Sequence, residues 1–166
     1  MSQQRAAQGG PPPLRPFGLV LHHDGRFTHD GVPILHPRLR AAFDRSVRWL
    51  ADEGCFVVQI GRFRGQIEVE EAAFFVRDFD AASGEIRLSD ASRERLDPAT
   101  LQLSPRDGAL LCAVKRDLAP PAGLLARFLH AAQAELLAAV EGPDAAPRLR
   151  LGGRSAPLPP LLAGSE

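Results

Sequence analysis

Four histidines, His22, His23, His29 and His36, fall within fifteen residues near the start of the chain, with Asp24 and Asp30 between them. Imidazole and carboxylate together make a metal-ligand set if they converge on one point, and a hairpin would bring positions 22 and 29 together. The spacing argues the other way. There is no H-x-H, no HExxH and no cysteine partner. Asp24 and Asp30 each precede a glycine, where aspartate is used for the backbone hydrogen bond of a turn. The histidines therefore read as turn-stabilising or solvent-facing, with no metal assigned.

Nucleophilic chemistry is equally poorly served. The chain has no GxSxG, and Cys55 and Cys112 sit in apolar runs without an activating neighbour. Gly61-Arg-Phe-Arg-Gly65 is too short for a phosphate-binding loop and opens a strand rather than a helix. Tyrosine, a common acid or base, is absent altogether. These signals argue against an enzyme and imply no cofactor.

Arginine offers more. Arg26 follows the Asp24-Gly25 turn, and Arg62 and Arg64 flank Phe63 between two glycines that admit close approach to the backbone. Guanidinium groups grip carboxylate or phosphate in bidentate fashion, so Arg26, Arg62 and Arg64 form the candidate site for a small anionic ligand. The competing reading pairs Arg62 and Arg64 with Glu68, Glu70 or Glu71 across a sheet. A second stripe, Arg38, Arg45 and Trp49, is the candidate partner-facing surface, and arginine with an aromatic also suits phosphate and base stacking. Against nucleic acid stands the overall balance, 20 Lys+Arg against 20 Asp+Glu, which gives no global attraction to polyanions.

The elements that must position these residues follow from periodicity and turn chemistry. Phe17 to His22 reads as a strand, Asp24-Gly25 as a hairpin turn and Arg26 to His29 as the return strand. Pro37 suits a first helical turn, and Leu39, Phe43, Ser46, Val47 and Leu50 recur at 3.6-residue spacing, which predicts a helix over about 36–52 ending at Gly54. Strands follow at 55–60, 63–69, 73–79 and 85–89, then a further hairpin around Gly108. Leu125, Phe128, Leu129, Ala132, Leu136 and Val140 predict a second helix over about 121–141, stopped by Gly142-Pro143. The fold class is α+β, antiparallel sheets with two main helices. The domain reading is a disordered tail at 1–16, an N-terminal lobe at 17–72, a C-terminal lobe at 73–142 and a Pro-rich mobile tail at 143–166. Arg154 to Pro160 matches a basic polyproline pattern, a cheap match in such a tail. No run approaches the ~20 apolar residues of a membrane span, and no signal-peptide core opens the chain. With unpaired thiols, this predicts a cytoplasmic protein.

The order of these motifs resembles an uncharacterised bacterial family, domain of unknown function 1285 (DUF1285). Asp24, Gly25, Arg26 and Phe27 match its opening, His29, Gly31, Pro33 and Ile34 its second turn, and Leu39 and Phe43 its helix. Ile67, Val69, Glu70, Glu71, Ala72, Ala73 and Phe74 follow a later segment, and Lys115 to Leu137 its closing helix. The likeness covers about residues 17–142. It departs at Gly61 to Gln66, where the family has a charged step, and at Ala73, where it has proline. The resemblance implies two lobes of similar make, the second like a pleckstrin-homology fold, with a ligand-binding cleft between them and a role in signal transduction. It carries over no catalytic residue. The expected function is a non-enzymatic cytoplasmic module binding a small anionic ligand or a protein, with nucleic-acid binding as the alternative and an enzyme third.

Overall fold

The computed structural model describes residues 14–160. The tail expected over 1–16 lies mostly outside them, but its last two residues, Arg15 and Pro16, open the first strand. The first lobe holds β1 (Arg15–Leu21), β2 (Phe27–His29), β3 (Val32–Pro33), α1 (Pro37–Ser46), β4 (Val47–Leu50), β5 (Cys55–Ile60) and β6 (Phe63–Val69). The second holds β7 (Phe74–Asp80), β8 (Glu85–Leu88), β9 (Arg93–Arg95), a 3-10 turn at Pro98–Thr100, β10 (Gln102–Leu103), β11 (Leu110–Val114) and β12 (Leu124–Phe128). After them come α2 (His130–Ala138), β13 (Val140–Glu141), β14 (Arg148–Leu151) and β15 (Arg154–Pro157).

The two six-stranded sheets run β3-β2-β1-β6-β5-β4 and β10-β11-β12-β7-β8-β9. Each is a three-stranded meander, a connection, and a second meander whose last strand returns beside the first strand of the lobe. That last pairing is parallel in both, with Leu19 opposite Ile67 and Leu21 opposite Val69 in one sheet, and Phe74 opposite Ala126 and Val76 opposite Phe128 in the other. The lobes are thus of similar make, although no sequence repeat is legible between them. They differ in the connection, which is α1 in the first and the 3-10 turn in the second. The expectation of purely antiparallel sheets is corrected here. Each sheet is antiparallel apart from its central parallel pair, because two meanders joined by a crossover return with their last strand in the direction of the first.

One continuous apolar core serves both lobes. Leu19, Leu21 and Ile67 fill the inner face of the first sheet, and Phe27 meets Phe43 of α1 with ring centroids 5.5 Å apart. Phe56 reaches the second lobe edge-on to Phe74 at 6.3 Å. Phe75 lies beneath the Asp24-Gly25 turn, within ordinary contact distance of where a Cβ on Gly25 would stand. Gly18, with φ +74°, bulges β1 so that its carbonyl accepts from Asp30 N–H at 2.9 Å, and Asp30 Oδ1 fills the space a side chain there would need.

Both helices are shorter than their periodicity suggests. α1 stops at Ser46, and Val47 turns extended (φ −64°, ψ 129°) to start β4, which pairs Trp49 with Phe56 and Leu50 with Cys55. Pairing with β5 engages the backbone groups on the inner side of this edge strand, and Gly54 closes the β4–β5 turn rather than a helix. Leu124, Ala126 and Phe128 are buried at every second position, so the stretch read as the first turns of the second helix is β12, and α2 begins at His130. Leu125, Phe128 and Leu129 fit the helical period, but the alternation of Leu124, Ala126 and Phe128 fits a strand, and β12 is taken by its parallel partner β7.

The stretch 143–160, expected as part of a mobile tail, instead carries the β14–β15 hairpin. Leu149 is fully buried beneath it, and Leu158 packs at the edge of the same core. Pairing with β13 and a buried leucine outweigh the Pro- and Gly-rich composition. No helix among the described residues is long and apolar enough to cross a membrane.

Candidate functional site

Two polar constructions stand out, a charged seam joining the lobes and a cavity beside the C-terminal hairpin. The seam is organised by Glu70 and Glu71, on the link between β6 and β7. Glu70 Oε2 accepts from the His23 backbone N–H at 2.9 Å and lies 3.2 Å from Nδ1 of both His22 and His23. Arg106 Nη1, from the β10–β11 turn, donates to Glu70 Oε1 at 2.8 Å. The His23 backbone and side-chain hydrogen bonds, aided by the Arg106 charge, hold the Glu70 carboxyl down at about 2. The Glu71 side chain, 8% exposed, accepts from Ser104 Oγ at 2.6 Å and from Arg127 Nη1 at 3.3 Å. Arg127 also grips Asp107 through both terminal nitrogens. That hydrogen-bonded pairing lowers Asp107 to about 2 and raises Arg127.

The seam explains the histidine cluster. His22 and His23 anchor the first lobe's turn to Glu70, and His22 Nε2 lies 2.9 Å from Thr28 Oγ1. His29 faces Asp30, and His36 caps α1 by accepting from Leu39 N–H at 3.4 Å. Among the described residues, no group of three His, Cys, Asp or Glu is placed to hold a metal ion. Two recesses flank the seam, of about 230 and 130 Å³. Most of the charges in them are already matched: Asp107 with Arg127, Asp24 with Arg26 at 2.7 Å, and Asp44 with Arg77 at 2.7 Å. Charges already neutralised by a neighbour offer an incoming ion little, and of these pairs only Asp44–Arg77 crosses between the lobes.

The cavity is different. It encloses about 580 Å³ between the β7–β8 turn (Ala82, Ser83, Gly84), the end of β9 (Arg95, Leu96), Pro98 and the hairpin tip from Leu151 to Ala156. Glycines shape it. Gly152 N–H donates to Ala81 O at 2.8 Å, and a Cβ on Gly152 would stand 2.6 Å from Ala82 O, so only glycine lets the tip seat here. No acidic side chain lines the space. The nearest carboxylates are engaged elsewhere: Asp80 by Ser83 and the Ala82 N–H, Glu85 by Arg93 at 3.0 Å, and Asp97 by Arg116 at 3.1 Å. Arg95 and Arg154, both exposed, have no ion-pair partner among the described residues. Positive charge is left over where glycine backbone and the Ser155 hydroxyl are also presented.

The arginines singled out from sequence are not brought together. Arg26 lies at the end of the first sheet where Leu21 pairs with Val69, while Arg62 and Arg64 lie at the opposite end, where Arg15 pairs with Gly65. Arg26 is bound to Asp24, Arg62 is exposed at the β5–β6 turn, and Arg64 pairs with Glu53 at 3.3 Å rather than with Glu68, Glu70 or Glu71. None of the three lines a cavity described above. Arg38 and Arg45 are exposed on α1, whereas Trp49 lies on β4 with its ring against Phe56 at 4.8 Å, so the three do not share one helix face. Arg95, Arg154 and the Glu70–Glu71 pair were missed. The legible signal was the Gly152-Gly153 pair followed by Arg154, a two-residue hairpin turn that the proline-rich surroundings disguised.

No family model and no curated protein matches the chain. Among solved structures, it is similar to a DUF1285 family protein from Silicibacter pomeroyi DSS-3, with a TM-score of 0.62 and 21% identity, over 89% of this chain and 82% of that one. A DUF1285 family protein from Shewanella baltica OS155 aligns with a TM-score of 0.48 and 13% identity, over 73% of this chain and 91% of that one. The first likeness establishes a shared fold, and the resemblance read from the motifs holds at that level.

Proposed function

We propose that the protein is a binding module for a small organic anion, seated in the cavity between the second lobe and the β14–β15 hairpin. The observation that carries this reading is the surplus charge of Arg95 and Arg154 in a cavity with no acidic lining. Its size, about 580 Å³, falls in the range of small-molecule sites, roughly 300–1,000 Å³. A carboxylate or phosphate would meet the two guanidinium groups and the Ser155 hydroxyl, and an apolar body would lie against Leu96, Pro98, Leu151 and Ala156. Such a ligand would touch both the β7–β8 turn and the hairpin tip.

The test is calorimetric titration of phosphate, AMP, citrate and glutamate into the wild type, into Arg95→Ala/Arg154→Ala and into Arg62→Ala/Arg64→Ala. The expected result is binding of at least one anion, weakened tenfold or more by the first pair and unchanged by the second, tenfold being about 1.4 kcal/mol. Loss confined to the Arg62/Arg64 variant would move the site to the first lobe. Absence of binding, or equal binding to all three proteins, would refute the reading.

A further inference from the structure

The inner face of the first sheet is apolar well beyond the part of it that is covered. Alternation along β6 puts Phe63 and Gly65 on that face with buried Ile67, and register adds Ile60 opposite Phe63 and Arg15 beside Gly65. Where α1 and the second lobe lie on it, Phe27 meets Phe43 and Phe56 meets Phe74. Around the β5–β6 turn the face is open, and Phe63 is 51% and Ile60 42% exposed. The half-buried Phe17 ring takes the space over Gly65, where a Cβ would stand 2.4 Å from two of its carbons. Phe63 packs edge-on to Phe17 at 5.2 Å, and the His29 ring reaches Phe17 from β2 at 5.6 Å. Three rings from three adjacent strands thus form one platform. None of these residues lines the cavity beside the β14–β15 hairpin.

Two cations border the rings. Arg15 is exposed on the same face and Arg62 at the turn beside Phe63, and neither has an ion-pair partner among the described residues. Asp30, the carboxylate beside His29, lies 3.7 Å from its Nε2, with Oδ1 turned into the hollow over Gly18. Unpaired positive charge beside exposed rings on a sheet face suits single-stranded nucleic acid, whose bases stack on the rings while guanidinium groups hold its phosphates. We propose that this end of the first sheet binds single-stranded RNA or DNA, with Phe63 and Phe17 as stacking residues and Arg15 and Arg62 on the backbone. A duplex keeps its bases stacked on one another and offers the rings nothing. A proline-rich peptide would leave both arginines without a counter-charge, and Phe17, half-buried in the sheet, cannot project into a bilayer. With no net charge on the whole chain, the attraction is local to this face.

Fluorescence anisotropy of labelled ~12-nucleotide oligouridine and oligothymidine, titrated with the full chain up to ~100 µM, tests this. Binding is expected, weakened about tenfold or more by Phe63→Ala and unchanged by Arg38→Ala/Arg45→Ala on α1. Arg15→Ala/Arg62→Ala is expected to make the slope of log K against log salt shallower by about 1.4, the share of two phosphates on a single strand. Circular dichroism melts establish that each variant is folded. Phe63→Trp, which keeps a ring, is expected to retain affinity and to lose indole emission when a base stacks on it. The proposal is overturned by a wild type that binds neither oligonucleotide, by equal binding to wild type and folded Phe63→Ala, by a duplex bound as tightly as the single strand, or by loss confined to the Arg38/Arg45 variant. Binding to phosphatidylserine vesicles or to a polyproline peptide in place of the oligonucleotides also overturns it, and would give the face to a bilayer or a protein.

Discussion

Replacing Lys115 by Met removes one half of a buried ion pair in the second lobe. Lys115, the only lysine in the chain, sits just past β11 with its side chain 14% exposed, and its Nζ lies 2.7 Å from Asp90 Oδ2, itself 8% exposed. The same nitrogen donates to Ser92 Oγ at 3.0 Å and stands 4.8 Å from the centre of the Phe74 ring. The variant keeps an unbranched stem against Phe74 and leaves Asp90 with only the Ser92 N–H and O–H. Breaking a buried pair from one side costs about 3–5 kcal/mol, and the surviving hydrogen bonds place this case near the lower end, about 3 kcal/mol. For a chain of this length each kcal/mol lowers the melting temperature by about 2–4 °C, so calorimetry at pH 7 should find a drop of about 6–12 °C. Burial acts to raise the Asp90 pKa, but hydrogen bonds from Lys115 and Ser92 outweigh it and hold the carboxyl below its ordinary 3.8. A depressed folded-state pKa stabilises fully above the unfolded value and ceases to do so as the pH falls through the folded one. The gap between wild type and variant should therefore be widest near neutrality and narrow below about pH 4. Lys115→Met/Asp90→Asn, which removes both charges, should recover part of the loss. A deficit under about 1 kcal/mol at pH 7, or a double variant no better than the single, would refute the reasoning.

Three further outcomes are expected. Phe43→Asp, which sets a carboxylate against Phe27 in the core, should abolish cooperative unfolding, while Arg45→Ala on the outer face should stay within about 0.5 kcal/mol of wild type by urea titration; similar midpoints would overturn the assigned helix phase. Leu149→Ala should cost about 2–5 kcal/mol, because its side chain is fully buried under the hairpin, and a negligible loss would mean the hairpin is not part of the fold. Glu70 and Asp107, both held at about 2 by their donors, stabilise the folded lobes above pH 4.5 and lose that contribution as the pH falls toward 2. Acid titration of Glu70→Gln should accordingly show a shallower loss of stability than wild type over that interval.

Local chemistry in the chain was enough for the α+β class, the Asp24-Gly25 hairpin, Pro37 in the first turn of α1 and the outward placement of Arg38 and Arg45. Each depends on a residue and its near neighbours: a turn pair, a missing N–H, a side-chain phase. Tertiary structure decided the rest. Val47 to Leu50 and Leu124 to Phe128 fit a helix by period, and became strands because β5 and β7 offered backbone partners that no window of sequence contains. The β14–β15 hairpin reads as part of a mobile tail by composition, yet it folds because Leu149 finds a core built by residues far from it in the chain. The same holds for the sites. Arg62 and Arg64 are two residues apart but line none of the cavities described above, whereas Arg95 and Arg154, separated by a helix and five strands, line one cavity. Glu70, weighed from sequence as a partner of Arg62 or Arg64, meets its four partners only when the turns carrying His22, His23 and Arg106 close on it. Convergence of charge is a property of three-dimensional distance, and chain spacing reports distance only within a single turn, helix or strand.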